Sequence, residues 1–145
     1  MSKIVLCDID GTIANNDHRQ HLLKEYKDWD LFFSKLDLDE PIKEIIKIVN
    51  EYAKQGMIIY FVTGRPMRYE LKTKDWLKKF FKFKINLIMR NNNDSRNKFL
   101  IKEELFSKNF QREDIQVCIE NDPELCKLWE SFGLNVINVN DLLSN

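Results

Sequence analysis

Five short apolar runs divide the chain, at about residues 4–7, 57–62, 85–89, 115–119 and 134–139. The first two, Ile4-Val5-Leu6-Cys7 and Met57-Ile58-Ile59-Tyr60-Phe61-Val62, contain no polar position, the pattern of strands covered on both faces. Between the runs the apolar period changes. Ile42, Ile45, Ile46 and Val49 stripe one face of a helix over 41–55, with Pro41 in its first turn and Gly56 to close it. Tyr69, Trp76, Leu77 and Phe80 mark a second helix after Thr63-Gly64-Arg65-Pro66 has ended the second strand. A third helix is predicted over 98–107, and a fourth runs from Glu120-Asn121-Asp122-Pro123 to Gly133. Residues 13–40 are polar and rich in aromatics, and predict two short helices. Strands separated by helices imply an α/β fold with a parallel sheet.

In such sheets ligands bind beyond the carboxyl ends of the strands. Asp8 and Asp10 follow the first strand, Thr63 the second, Arg90 the third, and Glu120, Asn121 and Asp122 the fourth. The suspicious polar residues therefore gather at one sheet edge. Two carboxylates as close as Asp8 and Asp10 repel each other at the margin of a core, and a bound cation is the natural compensation. Gly11 permits a tight turn there and close approach of an anion.

Composition narrows the picture only a little. At 145 residues, 43% hydrophobic and 32% charged, the chain is expected to form a single domain, 1–145, with a small insert at about 13–40. No apolar run approaches the ~18 residues of a membrane span, and Met1-Ser2-Lys3 leads straight into a strand, so neither an anchor nor a signal peptide is expected. Cys7, Cys118 and Cys126 lack metal-ligand spacing and fit reduced core thiols of a cytoplasmic protein. The net charge is zero, yet residues 65–90 hold nine Lys/Arg against two acids. That segment fits either a phosphate-rich ligand or the solvated face of a helix.

Asp8-Ile9-Asp10-Gly11-Thr12 and Val62-Thr63-Gly64-Arg65 carry a resemblance. They resemble the first two motifs of the haloacid dehalogenase (HAD) superfamily of phosphotransferases. Arg19, the segment 89–106, and Ile119-Glu120-Asn121-Asp122-Pro123 with Trp129 downstream extend the likeness to the 3′-phosphatase domain of bacteriophage polynucleotide kinase, over about residues 3–140. The resemblance implies a Rossmann-like HAD fold, a five-stranded parallel sheet with a small helical cap after the first strand. It implies a Mg²⁺-dependent phosphomonoesterase that removes 3′-phosphate from polynucleotide ends or phosphate from nucleotides. Asp8 is then the nucleophile that forms an aspartyl-phosphate, and Asp10 the general acid and base. Thr63 hydrogen-bonds the phosphoryl group with Thr12 and Gly64 beside it, and Lys102 offsets charge next to Asp8. Arg19, Arg65 and Arg90 contact substrate, with Lys98 one turn before Lys102.

A hard-oxygen Mg²⁺ site is implied from Asp8, the Asp10 carbonyl, and Glu120 or Asn121, where the resembling enzymes carry two aspartates. Asp122 stands either as an N-cap or as the replacement ligand. His18 and His21 are read as surface or substrate-side residues. Trp29, Phe32 and Phe33 are expected to pack the cap. A phosphorylated nucleotide or nucleic-acid end is the expected partner, with no membrane and no stable protein partner. The chain lacks the phosphate loop G-x-x-x-x-G-K-[ST] of a kinase. Two alternatives compete: a non-catalytic HAD-fold binding or regulatory module, motivated by Asn121, and a phospho-receiver domain. The second needs an aspartate where Met89-Arg90 stands.

Overall fold

The computed structural model describes residues 3–144. Strand β1 (Ile4–Cys7) leads into a small insert bounded by β2 (Ala14–Asn15) and β3 (Glu40–Pro41), which pair antiparallel. Inside that ribbon lie α1 (His21–Lys24) and α2 (Trp29–Ser34). The remainder alternates: α3 (Lys43–Lys54), β4 (Ile58–Pro66), α4 (Glu70–Phe80), β5 (Asn86–Arg90), α5 (Lys98–Asn109), β6 (Ile115–Glu120), α6 (Pro123–Ser131), β7 (Val136–Asn138) and α7 (Val139–Leu143).

The five long-range strands form one parallel sheet in the order β5-β4-β1-β6-β7. Strand β1 is central. The chain steps outward through β4 and β5, then crosses back to β6 and β7. The reversal opens a crevice beyond β1, between the ends of β4 and β6, where ligands bind in open α/β sheets.

The unbroken apolar runs follow from burial on both faces. Val5 and Cys7 pack with Ile45 and Val49 of α3 and with Trp76 and Leu77 of α4. Leu6, Val62 and Cys118 point the other way, against Phe106 of α5 and Leu125 and Trp129 of α6. Each such fully buried side chain contributes ~1.5–3 kcal/mol. The helices over the sheet edge start on side-chain caps: Asn97 accepts from Leu100 N, and Asp122 accepts from Glu124 N and Leu125 N, with Pro123 following it.

Three details depart from the sequence reading. Thr63-Gly64-Arg65-Pro66 does not end the second strand; β4 runs to Pro66 past an irregularity in its register with β5, where Pro66 lies opposite Arg90. The extension carries Thr63 and Arg65 into the site as strand residues. Pro41 is not in a helical first turn but pairs with Ala14, and Ile42 N donates to Ile13 O at 2.8 Å, closing the insert onto the core. Finally, the insert has its own small core of Leu22, Phe32, Phe33 and Leu36, whereas Trp29 is not packed away: it is 58% exposed.

Candidate active site

The site is built around the β1–β2 turn. Gly11 has φ +80°, a conformation that side chains rarely adopt, and a Cβ there would also force the Asn121 amide to shift. Backbone N–H groups of Thr12, Ile13 and Ala14 all donate to Ile9 O. This tight loop places Thr12 Oγ1 2.9 Å from Asp8 Oδ2, to which it donates, and 3.3 Å from Asn121 Oδ1.

Asp8 is nearly buried at the end of β1. Lys102 reaches it from α5, its Nζ donating to Asp8 Oδ1 at 2.5 Å and to Glu120 Oε1 at 3.2 Å. Burial, with the Glu120 charge beside it, raises the Asp8 carboxyl to about 7, against the pull of Lys102. Burial opposes the Lys102 charge, but the two carboxylates outweigh it and raise Lys102 above the ordinary lysine range. Glu120 is itself 2% exposed, and both its oxygens are engaged. Oε1 also accepts from Trp129 Nε1 at 3.4 Å, and Oε2 accepts from the backbone N–H of Asn121 and of Asp122. Its carboxylate thus meets Lys102, Trp129 and the β6–α6 turn. Asp122 is likewise committed, capping α6 and meeting Lys98 Nζ at 2.7 Å. Asn121 is left as the strand-end oxygen that faces Gly11 and Thr12.

Asp10 lies across the turn in a second cluster. Arg65 donates to it through Nε (3.0 Å) and a terminal nitrogen (2.8 Å), and Arg19 through a terminal nitrogen at 2.7 Å. Burial works against the Asp10 charge, but the two guanidiniums prevail and hold its carboxyl at about 2. These two arginines, expected to contact substrate, are both engaged with acids, and Arg65 also lines the cleft. Arg19 is 0% exposed and Arg65 1%, because buried cations require carboxylates, and these two share Asp10 and a second acid, Asp39. Asp39 accepts from Arg19 Nε and a terminal nitrogen, both at 2.8 Å, and from Arg65 at 3.4 Å. His18 Nε2 lies 2.7 Å from Asp39 as well, and the Arg19 guanidinium stacks 4.2 Å over the Phe32 ring. His18 is therefore part of this cluster, whereas His21 stays at the surface. Sequence reasoning missed Asp39. The signal available was arithmetic: two arginines bound for one buried edge need a second acid.

Thr63 is buried at the bend of β4, and its Oγ1 accepts from Arg65 N at 3.1 Å, which leaves its own hydroxyl proton to donate. Arg90 differs from the other arginines. It donates to the carbonyls of Asp94 and Arg96, forms no ion pair among the described residues, and has a buried Nε without a partner. Its guanidinium lies against Gly64, where a Cβ would meet it at 3.3 Å. Asp8, Asp10, Thr63, Gly64 and Arg90 open onto one cleft of about 650 Å³, with Lys98 at its rim. The three cysteines are free and buried, and burial raises each thiol, Cys126 to about 12. None has the character of a nucleophile.

Residues 2–142 match the family described as the polynucleotide kinase PNKP phosphatase domain. The chain belongs to that family. It is accordingly a hydrolase of phosphate monoesters with a HAD fold. A curated protein of Autographa californica nuclear polyhedrosis virus, described as a bifunctional polynucleotide kinase/RNA ligase, is 29% identical over 141 residues, which is 94% of this chain and 19% of that protein. Among solved structures, one from the Pnkp1/Rnl/Hen1 complex superposes with a TM-score of 0.78 at 24% identity, over 96% of this chain and 46% of the other. A class C acid phosphatase from Bacillus anthracis, solved with tungstate bound, gives 0.60 at 19% identity, over 83% and 53%. These neighbours share the fold, and the chain spans less than half the length of the first. That neighbour was solved within an assembly, so it lends nothing to the expectation that no stable protein partner exists. Among the described residues no helix is long and apolar enough to cross a membrane.

Proposed function

We propose that the chain removes phosphate from 3′-phosphorylated polynucleotide ends or from nucleotides through an aspartyl-phosphate on Asp8. The observation that supports this best is the convergence of Asp8, Asp10, Thr63 and Lys102 from the β1 end, the turn, β4 and α5, with Lys102 Nζ 2.5 Å from Asp8 Oδ1. An Asp8 oxygen attacks phosphorus, the ester P–O bond breaks, and the leaving alkoxide takes a proton from Asp10. Water then attacks the acyl phosphate, losing its proton to Asp10, and inorganic phosphate departs. The arginine clamp on Asp10 favours the base half of this cycle. The acid half draws on the dianionic substrate, whose charge opposes that of the arginines and raises the proton affinity of Asp10. Thr63 and Lys102 meet the charge that develops on the phosphoryl oxygens, and Arg90, lacking an acid partner, binds the substrate anion.

The donor set fits a hard cation. The Asp8 carboxylate, the Asp10 carbonyl and Asn121 Oδ1 are oxygens around one turn, whereas Glu120 and Asp122 have their oxygens engaged elsewhere. Mg²⁺ held there would neutralise phosphoryl charge as a Lewis acid. The residues leave only one full anionic ligand, so affinity for the metal is modest.

Phosphate release decides the matter, measured with Mg²⁺ or Mn²⁺ on 3′- and 5′-phosphorylated oligonucleotides, nucleoside 3′- and 5′-monophosphates and an aryl phosphate. Release that is lost in Asp8→Asn is the expected result. Absence of release from all of them overturns the enzyme reading, and turnover by Asp8→Asn removes the nucleophile.

A further inference from the structure

Trp29 and Tyr26 are the large aromatic side chains that the cap leaves out of its own core, and of the two only Trp29 lines the cleft. It is 58% exposed, while its neighbours Phe32 and Phe33 are 5% and 8% exposed. Its indole stacks on Phe33 at 5.8 Å with a 26° tilt and meets Phe32 edge-on at the same distance, so one ring face is backed and the other is open. The residue lines the same cleft as Asp8, Thr63 and Arg90.

The platform is held in place. Asp30, the next residue on α2, accepts from Arg68 at 2.9 Å and from the Tyr69 hydroxyl at 3.2 Å. Arg68 in turn is tied to Asn92 on the far side of the cleft: its N–H donates to Asn92 Oδ1 at 2.6 Å. Phe33 packs on the Tyr69 ring at 5.2 Å. These contacts tie α2 to the β4–α4 turn and to the loop that follows Arg90. An indole face and an unpaired guanidinium therefore stand in one cleft of nucleotide size.

We propose that Trp29 is a stacking platform for a nucleobase of the phosphorylated substrate, seating the base on its open face while the phosphate lies at Asp8. This deepens the phosphatase reading above and rests on it for the position of the phosphate. A π-face accepts any base, so the platform selects nucleosides over other phosphate esters without choosing among bases.

Two measurements test it separately from turnover. Trp76 and Trp129 are 2% and 4% exposed, so contact quenching of indole emission by a base reaches Trp29, while inorganic phosphate controls for the response of Trp129, which bonds Glu120 beside Asp8. In Asp8→Asn, titration with a 3′-phosphorylated oligonucleotide or a nucleoside 3′-monophosphate is expected to quench that emission, and inorganic phosphate is not. Trp29→Phe on that background removes the signal. In the active chain, Trp29→Ala is expected to lower the ratio of kcat/KM for the nucleoside 3′-monophosphate to that for glycerol 2-phosphate by roughly 5- to 150-fold, the worth of one base stack, with Trp29→Phe restoring most of it. Quenching without turnover by any substrate retains the platform and overturns the phosphatase reading. Nucleotide turnover with an unchanged ratio and no quenching overturns the platform and retains the enzyme. An equal loss on both substrates makes Trp29 a packing residue and also overturns the proposal.

Discussion

Asp39 carries a large share of the buried electrostatics of the site, and replacing it by alanine removes four contacts at once. Its side chain is 0% exposed and faces both arginines and His18. The Trp76 Nε1 bond goes to the Asp39 backbone oxygen and survives the substitution. What remains is two buried guanidiniums with one carboxylate, Asp10, between them. Removing one partner of a buried ion pair costs ~3–5 kcal/mol, because the other charge stays desolvated. Against the ~5–15 kcal/mol of a typical domain that is a large fraction. At ~2–4 °C per kcal/mol for a chain of this size, Asp39→Ala is expected to melt about 6–20 °C lower. Asp39→Asn keeps the shape and part of the hydrogen bonding and falls between the two. Kinetics follow the same logic: Arg19 and Arg65 lose the anchor that aims them at Asp10, so kcat falls more than KM rises. Urea or thermal unfolding of both variants, with initial rates on an aryl phosphate, makes the check. A loss below ~1 kcal/mol in Asp39→Ala would show that the cluster is not held by Asp39 and refute the reasoning.

Four further outcomes are expected. Lys102→Met keeps the stem of the side chain but removes the charge beside Asp8, and should lower kcat by ~10²–10³-fold, measured as phosphate release at saturating substrate. Gly11→Ala meets both a positive φ and the Asn121 amide, so the purified variant should be inactive and less stable by ~1–3 kcal/mol in urea unfolding. Asn121→Asp adds a full anionic ligand and should lower the half-saturating Mg²⁺ concentration, read by calorimetric titration of the metal as well as by activity. Since Asp10 is held at about 2 in the folded chain, its contribution is present above the ordinary carboxylate range and lost as pH falls from about 4 through 2. Acid unfolding should show ~2 kcal/mol lost over that interval, and Asp10→Asn should flatten that limb.

The sheet, its parallel sense and the gathering of Asp8, Thr63, Arg90 and Glu120 at one edge were legible because buried strands and their end residues obey short-range patterns. Two kinds of feature were not legible. One is the partner of a long side chain: Arg19 and Arg65 read as ligand contacts, and only the fold shows that Asp39, from the far end of the insert, lies between them. The other is the direction of a residue on a short helix. Trp29, Phe32 and Phe33 fall within one turn and a half, and whether a given ring turns inward depends on how α2 is hung from Asp30 and Tyr69. The Glu120-Asn121-Asp122 run was ambiguous for a related reason. Three adjacent polar side chains diverge at a strand end, and the structure sends them to Lys102, to Thr12 and to the α6 N-terminus respectively.

That divergence bears on how the site balances metal and substrate. With all groups ionised, the Asp10, Asp39, Arg19 and Arg65 cluster is neutral, and the Asp8, Glu120 and Lys102 cluster carries one net negative charge. Lys98 and Asp122 cancel, and Arg90 adds a positive charge at the cleft wall. A divalent cation at the turn then leaves the core of the site at one net positive charge, before Arg90 is counted. Had the asparagine been an aspartate, as in the enzymes the sequence resembles, that core would reach zero. One unit charge at 4 Å is worth up to ~4 kcal/mol near a protein surface, and it acts with opposite sign on the two ligands. Asn121 therefore weakens the hold on the cation and strengthens the attraction for a phosphate dianion. With Mg²⁺ held as proposed above, the substitution would shift the affinity from metal to substrate. Lys102 remains matched to two carboxylates, and Arg90 is left without an acid partner at the cleft wall.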